Sequence, residues 1–250
     1  NGGAHIHPLN FALGLSEAAK KLGVKIFEKS RVIRISQEKD ISIELENGVK
    51  LNSKYAVIGC NGYIGHLDKR ISSWIMPINN YILATEPLDE KLARRLIRDD
   101  VAVHDSKFVV NYFRLSSDSR LLFGGGESYR YRFPLSITKK AHVPMLKVFP
   151  YLKDIKVDYA WGGTLAVTQN RLPSFRRVGR NIFSASGYSG HGVAMATFAG
   201  KILAEAISGQ AEKFDIMASL PQLKFPGGHL MRWPLLVLGM SYYALKDKLP

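Results

Sequence analysis

Residues Ser184 to Ile207 read SASGYSGHGVAMATFAGKILAEAI, with Gly187, Gly190 and Gly192 crowded just ahead of a run with helical character. A strand, a glycine turn and a helix in succession aim free backbone N–H groups and the positive end of a helix dipole at whatever lies above the turn. Anions and electron-rich ring edges are the natural guests. Glycine permits positive φ and close backbone approach, and the small side chains of ATFAG (196–200) let the helix pack tightly on a sheet. A packing turn that holds no ligand is the plain alternative.

Two other chemistries compete for the same region and its counterpart at the start. Ser189 follows Gly187 as in the G-x-S-x-G elbow of a serine hydrolase, but His191 stands where the second glycine belongs. Only His229 lies downstream as a possible partner base. His5 and His7 alternate along the chain and could face one side, yet no nearby Cys, Asp or Glu completes a metal site. The expectation is no metal, with these histidines lining a cleft or packing.

The elements that must position the turn follow from periodicity. HPLNFALGLSEAAKKLG (7–23) reads as a helix opened by Pro8 and closed by Gly23, followed by a strand over 24–30. VIRIS (32–36) and ISIELENGVKL (41–51) alternate apolar and polar residues, with Asn47-Gly48 as a hairpin turn. YAVIGCNGYIG (55–65) reads as a strand buried on both faces, ending in a second glycine turn. The middle differs: stretches 75–87, 101–105, 108–116, 120–126 and 157–168 read as a largely antiparallel sheet of about six strands, with helices at 88–97 and roughly 137–149. A buried strand at 181–187 and a helix at 191–209 then return to the character of the first part. The expected class is mixed α/β: a Rossmann-like layer with an inserted antiparallel sheet. The expected divisions are 1–72 and 178–220 for the layer, 73–177 for the insert and 221–250 as a packing segment.

Composition narrows the rest. The chain has 250 residues, 46% hydrophobic and 22% charged, enough for a real core. Its formal net charge is +14, but Lys and Arg are spread in short clusters such as RRLIR (94–98) and FRRVGR (175–180), and no helix-turn-helix, zinc finger or aromatic RNA motif occurs. Nucleic acid is not an expected partner. The single cysteine, Cys60, excludes an intrachain disulfide and fits a reducing, cytoplasmic setting. WPLLVLGMSYYAL (233–245) is shorter than the roughly 20 residues of a spanning helix and is interrupted by Pro234 and Gly239, so a packed helix is expected and no transmembrane segment. No leader pattern follows Asn1, and the start reads as that of a fragment or a trimmed chain.

GYSGHGVAMATFAGKILAEAI (187–207) resembles the C-terminal flavin-contact segment of the D-amino-acid-oxidase-like flavoenzymes. GGAHIHPLNFALGLSEAAKKLG (2–23), GCNGYIG (59–65), ATEPL (84–88), RLLFGGG (120–126), FPYLKDIKVDYAWGG (149–163) and RLP (171–173) extend the likeness over nearly the whole chain, within the branch acting on gamma-glutamylputrescine. The resemblance implies non-covalently bound FAD and oxidation of an amine C–N bond. The neutral amine gives hydride to flavin N5, the imine is hydrolysed to an aldehyde, and oxygen or another acceptor takes the electrons. The G-x-G-x-x-G βαβ unit of the family is not found in the sequence. The resemblance implies cofactor contacts at Val32, at Cys60, Asn61 and Gly62, and at Gly187, Tyr188, Ser189, Gly190, His191, Gly192 and Val193. Substrate contacts are expected among His5, His7, Arg114, Arg130, Arg132, Tyr159 and Trp161. No residue stands out as a general base. Leu165 falls where glycine oxidase carries an arginine for its substrate carboxylate, which favours an amine over an α-amino acid.

Overall fold

The computed structural model describes residues 4–107, 110–128, 132–227, 231, 234–235, 237–239 and 241–242. In chain order the elements are α1 (Pro8–Lys21), β1 (Val32–Gln37), β2 (Ile41–Leu45), β3 (Lys50–Ser53), β4 (Ala56–Ile58), α2 (Lys69–Ser72) and β5 (Met76–Pro87). They continue with α3 (Glu90–Leu96), β6 (Val103–His104), β7 (Tyr112–Leu115), β8 (Arg120–Ser128), α4 (Ile137–Val148) and β9 (Val157–Val167). The last are β10 (Ser174–Val178), β11 (Ile182–Ser186), α5 (Gly192–Ile207) and α6 (Glu212–Ser219). They form two compact units, one built from Ile6–Met76 with Ala166–Phe225, the other on Pro77–Leu165.

The first unit is layered. β1, β2 and β3 form an antiparallel meander in that order. Its second turn is the Asn47-Gly48 hairpin, with Gly48 at φ +84, a value that β-carbon sterics deny most residues. A second sheet has the order β10-β11-β4, with β11 parallel to β4 and antiparallel to β10. Ile41 on the meander, Ile58, Val178 and Ile182 on this sheet, and Ile71 and Ile75 between them make one core. The other sheet face carries Phe175, Phe183 and Ala185, covered by Ala199, Ile202, Leu203 and Ala206 of α5 and Phe214 of α6. Phe214 meets Phe183 edge-on at 5.2 Å between centroids, and burying a side chain of this size contributes about 3 kcal/mol.

The second unit is a five-stranded sheet in the order β6-β7-β8-β5-β9. The β5–β8, β6–β7 and β7–β8 pairings are antiparallel. Tyr81, Leu83, Leu121 and Phe123 pack against α3 and α4 through Ala93, Ala141 and Met145. Phe113 stacks on Phe123 at 5.8 Å with an interplanar angle of 4°, and Phe149 closes on both edge-on.

Several expectations need correction. Residues 24–30, exposed except for the half-buried Ser30, form no strand, because no neighbouring ladder among the described residues takes up their hydrogen bonds. β4 is not buried on both faces, since Val57 is 47% exposed. β10 reads in the sequence as a basic cluster; its alternation emerges once Phe175 and Val178 are seen to face opposite cores. The inserted sheet has five strands. The segment 233–245 falls largely outside the described residues. Among the described residues no helix is long and apolar enough to cross a membrane.

Candidate active site

The glycine turn sits where β11 ends. All five residues of β11 are buried, and the buried run continues through Gly187 and Tyr188 before Ser189 and Gly190 emerge. Ser189 lies at φ +51, Gly187 at φ +71 and Gly190 at φ +101, so the chain reverses through the left-handed region three times before α5 begins. The turn is held from behind. The Ser189 N–H donates to the Ala166 carbonyl at 3.0 Å. The Ser189 hydroxyl donates to the Gly187 carbonyl at 3.1 Å and accepts the Thr168 N–H at 3.3 Å. A β-carbon on Gly187 would stand 2.6 Å from Thr168 Cγ2. Tyr188 turns inward and donates its hydroxyl to the Ala185 carbonyl at 3.1 Å; burial pushes that phenol up.

A second turn leaves β4, the parallel neighbour of β11, at the same carboxyl end. Cys60 opens a single 3-10 turn over Asn61–Tyr63. The thiol is half-buried and its pKa is pushed up by burial, against a smaller lowering from a backbone hydrogen bond, which keeps it protonated and a poor nucleophile. Asn61 lies at φ +46 and accepts the Gly187 N–H on its side-chain oxygen at 3.0 Å. One strand earlier, the Ser184 hydroxyl donates to the Ile58 carbonyl at 3.0 Å. The carboxyl ends of parallel strands are where open α/β sheets hold their ligands.

Groups here lack partners among the described residues. The backbone N–H groups of Gly190, Gly192, Val193 and Ala194 have no acceptor. They belong to the turn and first turn of α5, where helix geometry leaves donors unsatisfied and the dipole is positive. The Ser186 hydroxyl is buried and unpaired. No β-carbon added at Gly190 would meet an atom within 4 Å, so the space over it is open. A group with an electron-rich edge fits this donor set.

The hydrolase alternative fails on geometry. Ser189 has the positive φ of a nucleophile elbow, but its hydroxyl is spent on Gly187 and Thr168, and no histidine ring bonds to it among the described residues. His7 caps α1, its Nδ1 accepting the Asn10 N–H at 3.2 Å, while His5 Nε2 lies 3.0 Å from the Asp100 carbonyl. No cluster of metal-ligating side chains occurs among the described residues.

The structure brings Asn61 to Gly187 and places Cys60 and Gly62 beside them. Val32 stands apart on the meander, half-buried and paired with Leu45. In the second unit Phe113 and Ala160 pack toward the core, so their strand neighbours Tyr112, Arg114, Tyr159 and Trp161 project from the other face. Tyr159 and Trp161 are 60% and 45% exposed, which removes core packing as their explanation. Arg114 is half-buried and donates to the Leu115 carbonyl at 3.1 Å. Arg132 is exposed, and Arg130 lies outside the described residues. The sequence reading missed Tyr112, whose hydroxyl donates to the Asn80 side chain, and Gly124, whose missing β-carbon leaves room for the Tyr112 ring. Thr168 and Ser186 were missed too. Only the triple glycine of RLLFGGG signalled the crowding at Gly124.

The family described as FAD dependent oxidoreductase matches residues 1–206. The chain is 38% identical over 250 residues to gamma-glutamylputrescine oxidoreductase of Escherichia coli (strain K12), covering 100% of this chain and 58% of that protein. It is 37% identical over 248 residues to a probable oxidoreductase OrdL of Rhizobium meliloti (strain 1021), covering 99% and 57% respectively. The fold is that of glycine oxidase from Geobacillus kaustophilus, with a TM-score of 0.69 at 19% identity, over 86% of this chain and 58% of that one. The chain thus spans somewhat over half the length of the curated relatives it matches. The chain belongs to the family of FAD-dependent oxidoreductases.

Proposed function

We propose that this chain is the larger part of an FAD-dependent amine oxidoreductase acting on gamma-glutamylputrescine or a close relative of it. The observation that carries the chemistry is the row of unpaired N–H groups at Gly190, Gly192, Val193 and Ala194 above open space. The 38% identity along the whole chain to an enzyme named for that substrate supports the substrate class. When bound, FAD supplies the two-electron acceptor for oxidation of the C–N bond.

The chain's own residues then have definite tasks. The N–H groups of Gly190, Gly192, Val193 and Ala194, at the start of α5, stabilise negative charge on the facing ring edge. Asn61 and Gly62 support the adenosine and pyrophosphate side, and Val32 the adenine. Cys60, protonated and half-buried, forms no covalent link to the cofactor. Tyr159 and Trp161 offer apolar walls for a polyamine chain, and Arg114 a cation for a distal carboxylate. Arg130, Arg132, His5 and His7 remain further substrate candidates. The electron acceptor is oxygen or another oxidant, and the setting is the cytoplasm, in keeping with one cysteine in 250 residues.

Exposed apolar residues on several elements of the first unit support a division of labour. α1 has no buried residue, with Leu9 60%, Leu13 55% and Leu15 49% exposed; Val57 on β4 and Phe198 on α5 are 47% and 46% exposed. We assign these exposed apolar residues to contacts with a further dinucleotide-binding unit, and expect the 250 residues alone to hold FAD weakly.

A visible absorption spectrum of the protein in its full encoded length, with and without gamma-glutamylputrescine, tests the reading. Flavin bands that bleach anaerobically with substrate are expected. Bands that persist would discard the substrate and keep the flavoprotein; no bands would discard both.

A further inference from the structure

Trp74, between α2 and β5, carries two cations. The guanidinium of Arg176 on β10 lies 3.6 Å from the centroid of the indole, and Lys224 Nζ lies 5.3 Å from it. Arg176 is half-buried, and neither cation forms an ion pair with a carboxylate among the described residues.

Arg177 and Arg95 also lie over rings, 4.8 Å from Phe183 and 4.9 Å from Tyr151, but both are exposed, whereas other cations pair with acids. Arg120 is paired with Asp118 and Asp158, and Arg70 with Asp68, each within 2.7 Å. Arg176 instead has neutral partners. Its Nε donates to the Ser174 hydroxyl at 3.3 Å and its Nη2 to the Gln222 side-chain oxygen at 2.6 Å. These orient the guanidinium plane without cancelling its charge, and they leave Nη1 with no acceptor. Burial lowers the guanidinium pKa with no carboxylate to offset it.

The geometry is held in advance of any ligand. Gln222 donates to the carbonyls of Leu172 and Pro173, at 3.0 and 2.8 Å. The Lys224 carbonyl accepts from Gln169 Nε2 at 3.0 Å, and the Phe225 N–H donates to the Ser73 carbonyl at 3.0 Å. The peptide group that follows Lys224 is thus held at both its carbonyl and its N–H, next to Trp74. A bound anion relieves the poor solvation of the half-buried Arg176 guanidinium, and the exposed Lys224 ammonium near the same ring adds to the attraction. A planar guanidinium with a free edge suits a flat or tetrahedral oxyanion.

We propose that Trp74, Arg176 and Lys224 form a binding site for a small oxyanion, either a phosphate group or the carboxylate of a small organic acid. Arg176 Nη1 is the direct donor, Ser174 and Gln222 aim it, and Lys224 adds positive potential. The site stands on these contacts alone and does not depend on the flavin reading.

Trp74 is its own reporter. The purified protein would be titrated with inorganic phosphate and, separately, with glutarate, at ionic strength held constant with chloride, while tryptophan emission is followed. A saturable change with either anion is expected; phosphate alone assigns a phosphate site, glutarate alone a carboxylate site. The change should vanish in Trp74→Phe, although the chain has 3 tryptophans. It should need about tenfold more anion in Arg176→Met, the loss of one charge-assisted hydrogen bond, with Arg176→Lys in between. No saturable change with either anion overturns the site, as does an unchanged affinity in Arg176→Met with a native circular dichroism spectrum. If Arg176→Met does not fold, Lys224→Met carries the test: severalfold weaker binding supports the site and unchanged binding overturns it.

Discussion

The side-chain oxygen of Asn61 accepts the backbone N–H of Gly187 at 3.0 Å, joining the turn after β4 to the turn after β11 across 126 residues of chain. Both turns leave parallel neighbours at the same end, so one hydrogen bond sets their spacing. Asn61 itself lies at φ +46, a conformation that asparagine tolerates better than most residues.

Replacing Asn61 separates those two contributions. Asn61→Gly keeps the backbone conformation and strands the Gly187 N–H, which should cost about 1–3 kcal/mol. Asn61→Ala adds the left-handed strain of a β-carbon and should lose about 1 kcal/mol more. Urea denaturation of the two variants checks the order. Equal losses would show that the side-chain bond alone matters.

Gly187 and Gly190 both adopt positive φ, at +71 and +101, but only Gly187 is enclosed. Gly187→Ala would place its β-carbon 2.6 Å from Thr168 Cγ2 and 3.2 Å from Ile75 Cγ2, on top of the backbone strain. A loss of about 3 kcal/mol is expected there, against about 1 kcal/mol for Gly190→Ala. If Gly190 faces the cofactor, its variant should lose flavin affinity out of proportion to stability, and a parallel flavin titration reads that directly.

Tyr81 is fully buried and its hydroxyl has no partner among the described residues. Its ring meets Phe133 edge-on at 6.1 Å. Tyr81→Phe keeps that contact and removes an unsatisfied oxygen, so thermal unfolding should show a stability unchanged or raised by up to about 1 kcal/mol. A clear loss would mean that the hydroxyl is bonded in solution.

Asp68 gives the acid limb of the stability profile. It is 7% exposed, caps α2 through the Arg70 N–H at 2.8 Å and pairs with the Arg70 guanidinium at 2.7 Å. Burial alone would raise its pKa, but the hydrogen bonds and charge of Arg70 outweigh burial and hold it below the usual carboxylate value. A carboxyl depressed in the folded state stabilises above its unfolded pKa of about 3.9. That stability is lost as pH falls through the folded value. Asp68→Asn keeps a good cap and removes the charge. It should therefore be about 1 kcal/mol less stable at pH 7, with the gap closing as pH falls below about 4. A gap independent of pH would assign the effect to packing.

Much of the order of elements was legible in the sequence through local signals, though α2, β10 and α6 were not read as elements. Pro8 and Gly23 bracket α1, Asn47-Gly48 marks the hairpin, and the glycines after β11 mark the start of α5. Residues 24–30 show the limit: an apolar alternating stretch has strand propensity, but a strand exists only where another chain segment supplies the ladder.

The site divides in the same way. Positive φ at Gly187 and Gly190 and free donors at the head of α5 follow from residue type and spacing, which act over a few residues. That Thr168 and Ser189 brace the turn, that Asn61 reaches Gly187, and that Trp74 gathers Arg176 and Lys224 was decided by tertiary structure alone. Those partners lie tens to more than a hundred residues apart, and no local propensity encodes which of them the packing of two sheets and their helices brings within hydrogen-bond reach.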